Sequence, residues 1–167
     1  EYNGVYDGLY FDKTEHSHCL CAQDRRTGEA GHSGDCGGTE EVWRPIRSLN
    51  ELRNAVEGNY YLTDNIKVDK DSSSGDFWKL DRNIKLCLNG YSIYPDSVGA
   101  GASFSLITLG DGIAFTLTDC APESDAGSIT AKDTDMGRGV YTNSGSSFVM
   151  YGGVIRDFAE AGVQAGG

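Results

Sequence analysis

Apolar residues near the middle of the first half of the chain recur with the period of a helix. The residues of one face are Leu49, Leu52, Ala55 and Val56. Ser48 followed by Glu51 has the spacing of an N-terminal capping box, and Gly58 stands where a helix C-terminal glycine is expected. These signals predict a single amphipathic helix over residues 48–57.

From Tyr60 onward the apolar period changes to two, which indicates short strands. The alternating runs are Tyr61-x-Thr63, Ile66-x-Val68, Ile84-x-Leu86-x-Leu88, Phe104-x-Leu106, Phe115-x-Leu117 and Phe148-x-Met150. They are separated by turn pairs at Asn89-Gly90, Asp111-Gly112, Ser144-Gly145 and Gly152-Gly153. The pattern predicts an all-β region, which can be a sandwich, a barrel or a solenoid.

Internal similarity favours the solenoid. Gly139-Val140-Tyr141 recurs as Gly162-Val163-Gln164, 23 residues further on. A Gly-x-(x)-Ile pattern ends at three isoleucines that lie 36 and then 26 residues apart, Ile93, Ile129 and Ile155. The longer interval leaves room for a loop insertion over residues 95–103. One turn of a parallel β-helix needs such a unit of two or three short strands, so we predict that these isoleucines stack. A sandwich with glycine-rich hairpins is the alternative.

Composition narrows the function classes. The chain has 25 acidic and 14 basic side chains, giving a net charge of −11, and 23 of its 167 residues are glycine. This charge argues against nucleic acid as a partner and against docking on an anionic membrane. No apolar run is long enough for a helical membrane span. The chain begins without Met, so we expect a piece of a longer protein that continues into further turns of the β-helix.

Residues 1–42 form a leader with a different composition, ahead of the β-region at residues 43–167. The leader holds all three His and three of the five Cys, and it has too few apolar residues to build a core. Thiolate and imidazole are the ligands that zinc prefers, and a closed structural site takes four of them. We expect the ligands to be Cys19, Cys21, His32 and Cys36, with His18 or His16 as a substitute. A catalytic metal is not expected.

Disulfides are the alternative for the leader, since exported proteins form them. Cys19 or Cys21 paired with Cys36 would close a loop of sensible size. Cys87 and Cys120 are expected on neighbouring turns of the β-helix, with Cys87 on the face opposite to its flanking leucines. We favour buried thiols there over a disulfide.

Two further sets of residues are candidates for function. A lyase or hydrolase would need paired acids, or an acid with a base, on one sheet face. The candidates are Asp119, Asp133, Asp135, Arg138, Arg156 and Asp157, and none has a spacing that indicates a reaction. Aromatic side chains with neighbouring amides can stack on sugar rings. The candidates for this are Tyr60, Tyr91, Tyr94, Tyr141 and Tyr151, with Asn89 and Asn143.

The motifs LCLNGYSI and GVYTNSGSSFVMYGGVI, preceded by His16-Ser17-His18-Cys19-Leu20-Cys21, resemble a known family. Over residues 14–167 the chain is similar to pectate-lyase-like right-handed β-helix segments of large surface proteins from Gram-positive gut bacteria. In that group an HxHCxC cluster often precedes the β-helix. The resemblance implies a right-handed parallel β-helix and an extracellular location at the cell surface. We expect the helix over residues 48–57 to cap the N-terminal end of this β-helix, where open strands would invite edge-to-edge pairing.

We therefore expect a non-catalytic surface module, a rigid stalk or adhesin-like platform whose candidate partners are a polysaccharide or a host surface protein. The alternative is the N-terminal part of a polysaccharide lyase or glycoside hydrolase of the β-helix class. A third hypothesis, a zinc-ribbon interaction module, would require residues 1–42 to bind a partner alone, and they offer no aromatic hot spot.

Overall fold

The computed structural model describes residues 16–18, 41–71, 77–96, 104–121, 123–132 and 134–166. These residues contain one α-helix, α1 (Leu49–Asn54), and a 3-10 turn at Glu123–Asp125. The first seven strands are β1 (His16–His18), β2 (Glu41–Ile46), β3 (Gly58–Leu62), β4 (Ile66–Val68), β5 (Trp78–Leu80), β6 (Ile84–Cys87) and β7 (Ser92–Pro95). The next seven are β8 (Ser105–Leu109), β9 (Ala114–Thr118), β10 (Ser128–Thr130), β11 (Arg138–Thr142), β12 (Ser147–Met150), β13 (Val154–Arg156) and β14 (Ala161–Ala165).

From β3 onward, each group of three consecutive strands gives one strand to each of three sheets. Sheet 1 has the order β1-β2-β3-β6-β9-β12, sheet 2 contains β4, β7, β10 and β13, and sheet 3 contains β5, β8, β11 and β14. We call the groups repeat 1 (58–80), repeat 2 (84–109), repeat 3 (114–142) and repeat 4 (147–165). Neighbouring strands pair in parallel throughout, except that β1 and β2 are antiparallel. The prediction of an all-β fold with parallel sheets is confirmed.

Apolar side chains of equivalent positions form ladders across the repeats. In sheet 2, Ile93 pairs in register with Ile66 and with Ile129, which in turn pairs with Ile155. Sheet 3 pairs Val140 with Val163, as the recurring Gly-Val motif predicts. Most buried apolar residues of the three sheets belong to one hydrophobic core, and Trp43, Tyr61 and Cys87 of sheet 1 form a second, smaller cluster. Branched side chains stacked in this way bury most of their surface against the next repeat.

The helix starts as predicted but ends earlier. The Ser48 hydroxyl accepts a hydrogen bond from the Glu51 amide at 3.3 Å, and the helix stops at Asn54 rather than at residue 57. The assignment of Gly58 as the helix C-cap is wrong, because Gly58 opens β3 with a φ of 154°. The chain leaves the helical conformation at Ala55, whose ψ is 127°, and side chains of later residues bond to the carbonyls that follow the helix. Arg82 donates to the Ala55 carbonyl at 3.0 Å, and Tyr60 donates to the Val56 carbonyl at 3.0 Å.

Each sheet has a neighbour on the N-terminal side of its first repeat. In sheet 1, β2 pairs with β3, whereas α1 packs against β4 and β5, the first strands of sheets 2 and 3. Leu52 carries this contact into the core and is 1% exposed. β2 also runs across the expected boundary between residues 42 and 43.

Two other expectations can be compared only with the described residues. The loop insertion expected over residues 95–103 is described only at Pro95, which ends β7, and at Asp96, because residues 97–103 lie outside the described ranges. Across the described part of the chain, no helix has the length and apolar character needed to cross a membrane.

Candidate functional site

The proposed metal ligands fall mostly outside the described residues. His16 and His18 belong to β1, where they stand opposite Trp43 and Glu41 of β2. The other four ligands proposed from the sequence lie outside the described ranges, namely Cys19, Cys21, His32 and Cys36. Elsewhere in the described ranges, no three His, Cys, Asp or Glu side chains are grouped so that they could hold a metal ion. The zinc site of the leader stays a prediction.

Asp119, one of the candidate catalytic acids, is part of the scaffold. Its carboxylate is 2% exposed and accepts three backbone hydrogen bonds. Oδ1 accepts from Gly90 at 2.9 Å and from Ala121 at 3.2 Å, and Oδ2 accepts from Gly127 at 2.6 Å. Because Gly90 belongs to repeat 2 and Gly127 to repeat 3, this one side chain fastens the corners of two repeats together. Such a buried acceptor is strongly stabilising while all its bonds are made.

Three of the other residues proposed for catalysis, Arg138, Arg156 and Asp157, have described partners. Asp157 accepts a hydrogen bond from the Thr130 hydroxyl at 2.8 Å and lies 3.6 Å from the Arg156 guanidinium. Arg138 pairs with Glu160 at 3.0 Å. Asp135 is exposed, and Asp133 lies outside the described residues. The bonds described for these acids therefore go to hydroxyl and guanidinium groups, which is the pattern of a solvated surface.

The candidate sugar-binding aromatics do not share a face. Tyr60 is 6% exposed and packs in the core, and Tyr91 packs against the same core. Of the remaining three, Tyr94 lies in sheet 2, Tyr141 lies in sheet 3, and Tyr151 directly follows β12 of sheet 1. The two proposed amide side chains lie in different places. Asn89 donates to the Leu62 carbonyl at 3.0 Å, and Asn143 lies in the turn before β12. An aromatic platform built from these residues is therefore not formed.

A polar row that the sequence analysis missed crosses the outer face of sheet 2. It consists of the residues that follow the ladder isoleucines, in the order Lys67, Tyr94, Thr130 and Arg156. Lys67 pairs in register with Tyr94, and Thr130 with Arg156, while the pairing of Ile93 with Ile129 brings the two halves side by side. Adjacent members are about 4.8 Å apart along the row, the spacing of neighbouring strands. We call these four residues the sheet-2 row.

Charged groups also lie beside the sheet-2 row. Lys67 forms an ion pair with Asp96 at 2.7 Å, and this hydrogen bond raises the pKa of Lys67 above its ordinary value. The Lys132 ammonium lies 5.1 Å from the centre of the Tyr94 ring. The row thus presents an aromatic ring and two cationic side chains on a chain that is acidic as a whole, whereas Thr130 is 4% exposed and its hydroxyl donates to Asp157. This combination suits contact with the hydroxyl and carboxyl groups of a polar ligand.

The two cysteines of the β-region lie together at the corner between sheets 1 and 2. The Cys87 and Cys120 sulfurs are 3.6 Å apart and both are free thiols. Cys87 lies on the face of sheet 1 opposite to Leu86, in a separate cluster with Trp43 and Tyr61, as its alternation with leucines predicts. Burial raises the pKa of the Cys87 thiol well above its ordinary value of 9.0.

Comparison with protein-family models, with curated proteins and with solved structures found no match to this chain.

Proposed function

We propose that the chain is the start of a right-handed parallel β-helix and serves as a rigid, non-catalytic module on an extracellular surface. The observation that carries the proposal is the assignment of every third strand to the same sheet, with apolar ladders in register across four repeats. Crossover connections between parallel strands are almost always right-handed, which supports the proposed hand. Stacked repeats of this kind transmit load along one axis and resist bending, because each repeat contacts its neighbours over a whole face.

We assign β2 and α1 to the capping of the N-terminal end. Their contacts with β3, β4 and β5 support this role, because an uncovered first repeat would expose strand edges to other chains. In the same proposal a structural zinc, bound by four of the leader residues Cys19, Cys21, His32, Cys36, His18 and His16, holds the leader in place. A bound metal would supply the folding energy that the leader cannot obtain from a core.

Further turns of the β-helix would cover repeat 4 in our proposal. Apolar side chains that are buried in repeat 3 become exposed one repeat later. Leu117 is 0% and its register partner Met150 39% exposed, while Val140 is 0% and its partner Val163 45% exposed. A fifth repeat of the same protein would restore the environment that these positions have in the repeats before.

The sheet-2 row is the part of the surface that we assign to contact with a polysaccharide or a host protein. Here a described aromatic ring and cationic side chains adjoin on one face. Carboxylate or hydroxyl groups of a ligand can bond to Lys67 and Arg156 while Tyr94 packs against an apolar ring face. We place no reaction there.

Incubation with acidic and neutral polysaccharides separates this proposal from the polysaccharide-degrading alternative. We expect no new reducing ends and no unsaturated sugars. Release of either product, lost on changing Asp133 or Asp157, would overturn the non-catalytic assignment and make the chain an enzyme of the β-helix class.

Elemental analysis with a free-thiol count tests the zinc proposal. One zinc per chain is expected, with the leader thiols reacting only after chelation. Absence of metal together with few reactive thiols would show that disulfides hold the leader, and the ligand assignment would then be withdrawn.

A further inference from the structure

The pair of cysteines at the corner between sheets 1 and 2 joins two repeats. Cys87 is the last residue of β6, and its register partner in β9 is Thr118. Cys120 lies two positions after Thr118, beyond the end of β9, and the bend of the chain there brings its sulfur to Cys87. The two positions are 33 residues apart in sequence, yet their sulfurs lie 3.6 Å apart.

The two thiols differ in access to solvent. Cys87 is 0% exposed, whereas Cys120 is partly exposed. The Cys120 thiol donates to the Asn89 side-chain oxygen at 3.1 Å, and the Asn89 amide nitrogen donates to the Leu62 carbonyl at 3.0 Å. Asn89 is thereby fixed, and it holds the Cys120 sulfur beside Cys87. The pair combines one thiol that a solute can reach with one that only Cys120 can reach.

We propose that Cys87 and Cys120 are a site of oxidation, where they form a disulfide that links repeat 2 to repeat 3. The oxidant is a low-molecular-weight disulfide. The Cys120 thiolate attacks one of its sulfurs, forms a mixed disulfide and releases one small thiolate. Cys87 then loses its proton, attacks the Cys120 sulfur and releases the second small thiol. Two protein thiols and one small disulfide become one protein disulfide and two small thiols.

The geometry allows this step with small movements. A disulfide needs a sulfur separation of about 2.05 Å, so the sulfurs approach by roughly 1.5 Å through side-chain rotation. Burial slows the second step, because Cys87 must ionise away from water to react. The slow step predicts that the mixed disulfide on Cys120 forms first and is then replaced by the internal bond.

The test starts from the reduced 167-residue chain, folded and then incubated with oxidised glutathione. After alkylation of the remaining thiols, digestion without reductant should yield a peptide pair joined through Cys87 and Cys120. A variant with Cys19, Cys21 and Cys36 changed to Ser keeps only the two thiols of interest, and its free-thiol count should fall from two to zero. The oxidised chain should melt at least about 5 °C higher than its reduced form.

Cys87→Ser and Cys120→Ser are the matched controls, each of which removes one sulfur. Neither should show a rise in melting temperature with oxidised glutathione, and Cys87→Ser should retain glutathione on Cys120. Two outcomes in the wild-type chain would overturn the proposal. One is alkylation of both cysteines after prolonged oxidation, and the other is glutathione remaining on Cys120 with no linked peptide.

Discussion

Replacing Asp119 by Asn should destabilise the fold although it changes the shape of the side chain very little. The carboxylate accepts from the backbone of Gly90, Ala121 and Gly127 through both oxygens. An amide has one acceptor oxygen, so an orientation that keeps the bonds to Gly90 and Ala121 turns an NH2 group towards the Gly127 amide. That contact, 2.6 Å in the wild type, would then join two donors.

The magnitude follows from the bonds lost. A hydrogen bond to a charged acceptor contributes about 1.5–3 kcal/mol, and a buried donor left without a partner costs about 1–3 kcal/mol. We therefore expect Asp119→Asn to lower the free energy of unfolding by about 2–4 kcal/mol. Asp119→Ala, which loses all three bonds, should lower it by about 4 kcal/mol or more.

Urea unfolding followed by circular dichroism measures this change, with equal slopes required for the comparison. Asp135→Asn is the matched control, because it removes the same charge from an exposed position and should stay within about 0.5 kcal/mol of the wild type. A value for Asp119→Asn that equals the value for Asp135→Asn would refute the role of Asp119 as a fastener between repeats.

Three other predictions concern the core, a close approach of the backbone and pH. Ile129→Ala should lower the free energy of unfolding in urea by about 3 kcal/mol, because Ile129 is 0% exposed between two repeats. Ile155→Ala should lower it less, because Ile155 is only half-buried, and equal losses would argue against the ladder. Gly139→Ala should lower the melting temperature more than Gly162→Ala, since an added Cβ would lie 2.5 Å from the Gly162 carbonyl oxygen in the first case and 3.2 Å from Ile155 in the second. Under reducing conditions the free energy of unfolding should fall as pH rises above about 9, because the unfolded chain releases the Cys87 proton that the folded chain retains. In urea titrations at several pH values this fall should approach about 1.4 kcal/mol per pH unit, and Cys87→Ala should make it smaller.

Local patterns predicted the repeating parts of this fold. The Gly-x-(x)-Ile pattern identified three of the four isoleucines in the sheet-2 ladder, and the turn pairs fell between strands as expected. The start of α1 was also predicted, because the hydrogen bond between Ser48 and Glu51 depends on only a few neighbouring residues.

Features that depend on distant residues were not predictable from the same patterns. The chain leaves the helix at Ala55, whose carbonyl accepts a hydrogen bond from Arg82, 27 residues away. β5 is a strand of three residues whose partner lies in the next repeat. From the sequence alone, Asp119 could be a turn residue or a catalytic acid. Its structural role depends on a hydrogen bond from the Gly90 amide, 29 residues away.

The candidate site was missed for a different reason. The sheet-2 row was available in the sequence as the residue after each ladder isoleucine, but these residues have no common chemistry. Only the register of the sheet places Lys67, Tyr94, Thr130 and Arg156 side by side. The alternation of Cys87 with its flanking leucines predicted the face of the sheet on which Cys87 lies. The contact between the Cys87 and Cys120 sulfurs depends on the bend of the chain after β9, which the sequence pattern does not predict.

Lengthening the stack tests the central claim most directly. Two extra copies of residues 114–146, inserted after Ser146, add two complete repeats if the chain is a solenoid of stacked units. The account predicts a cooperative fold whose maximum dimension in small-angle X-ray scattering grows by about 10 Å, two strand spacings, with an unchanged cross-section. An unchanged maximum dimension with a wider cross-section, or loss of cooperative unfolding, would contradict the proposal that this chain is an extendable stalk.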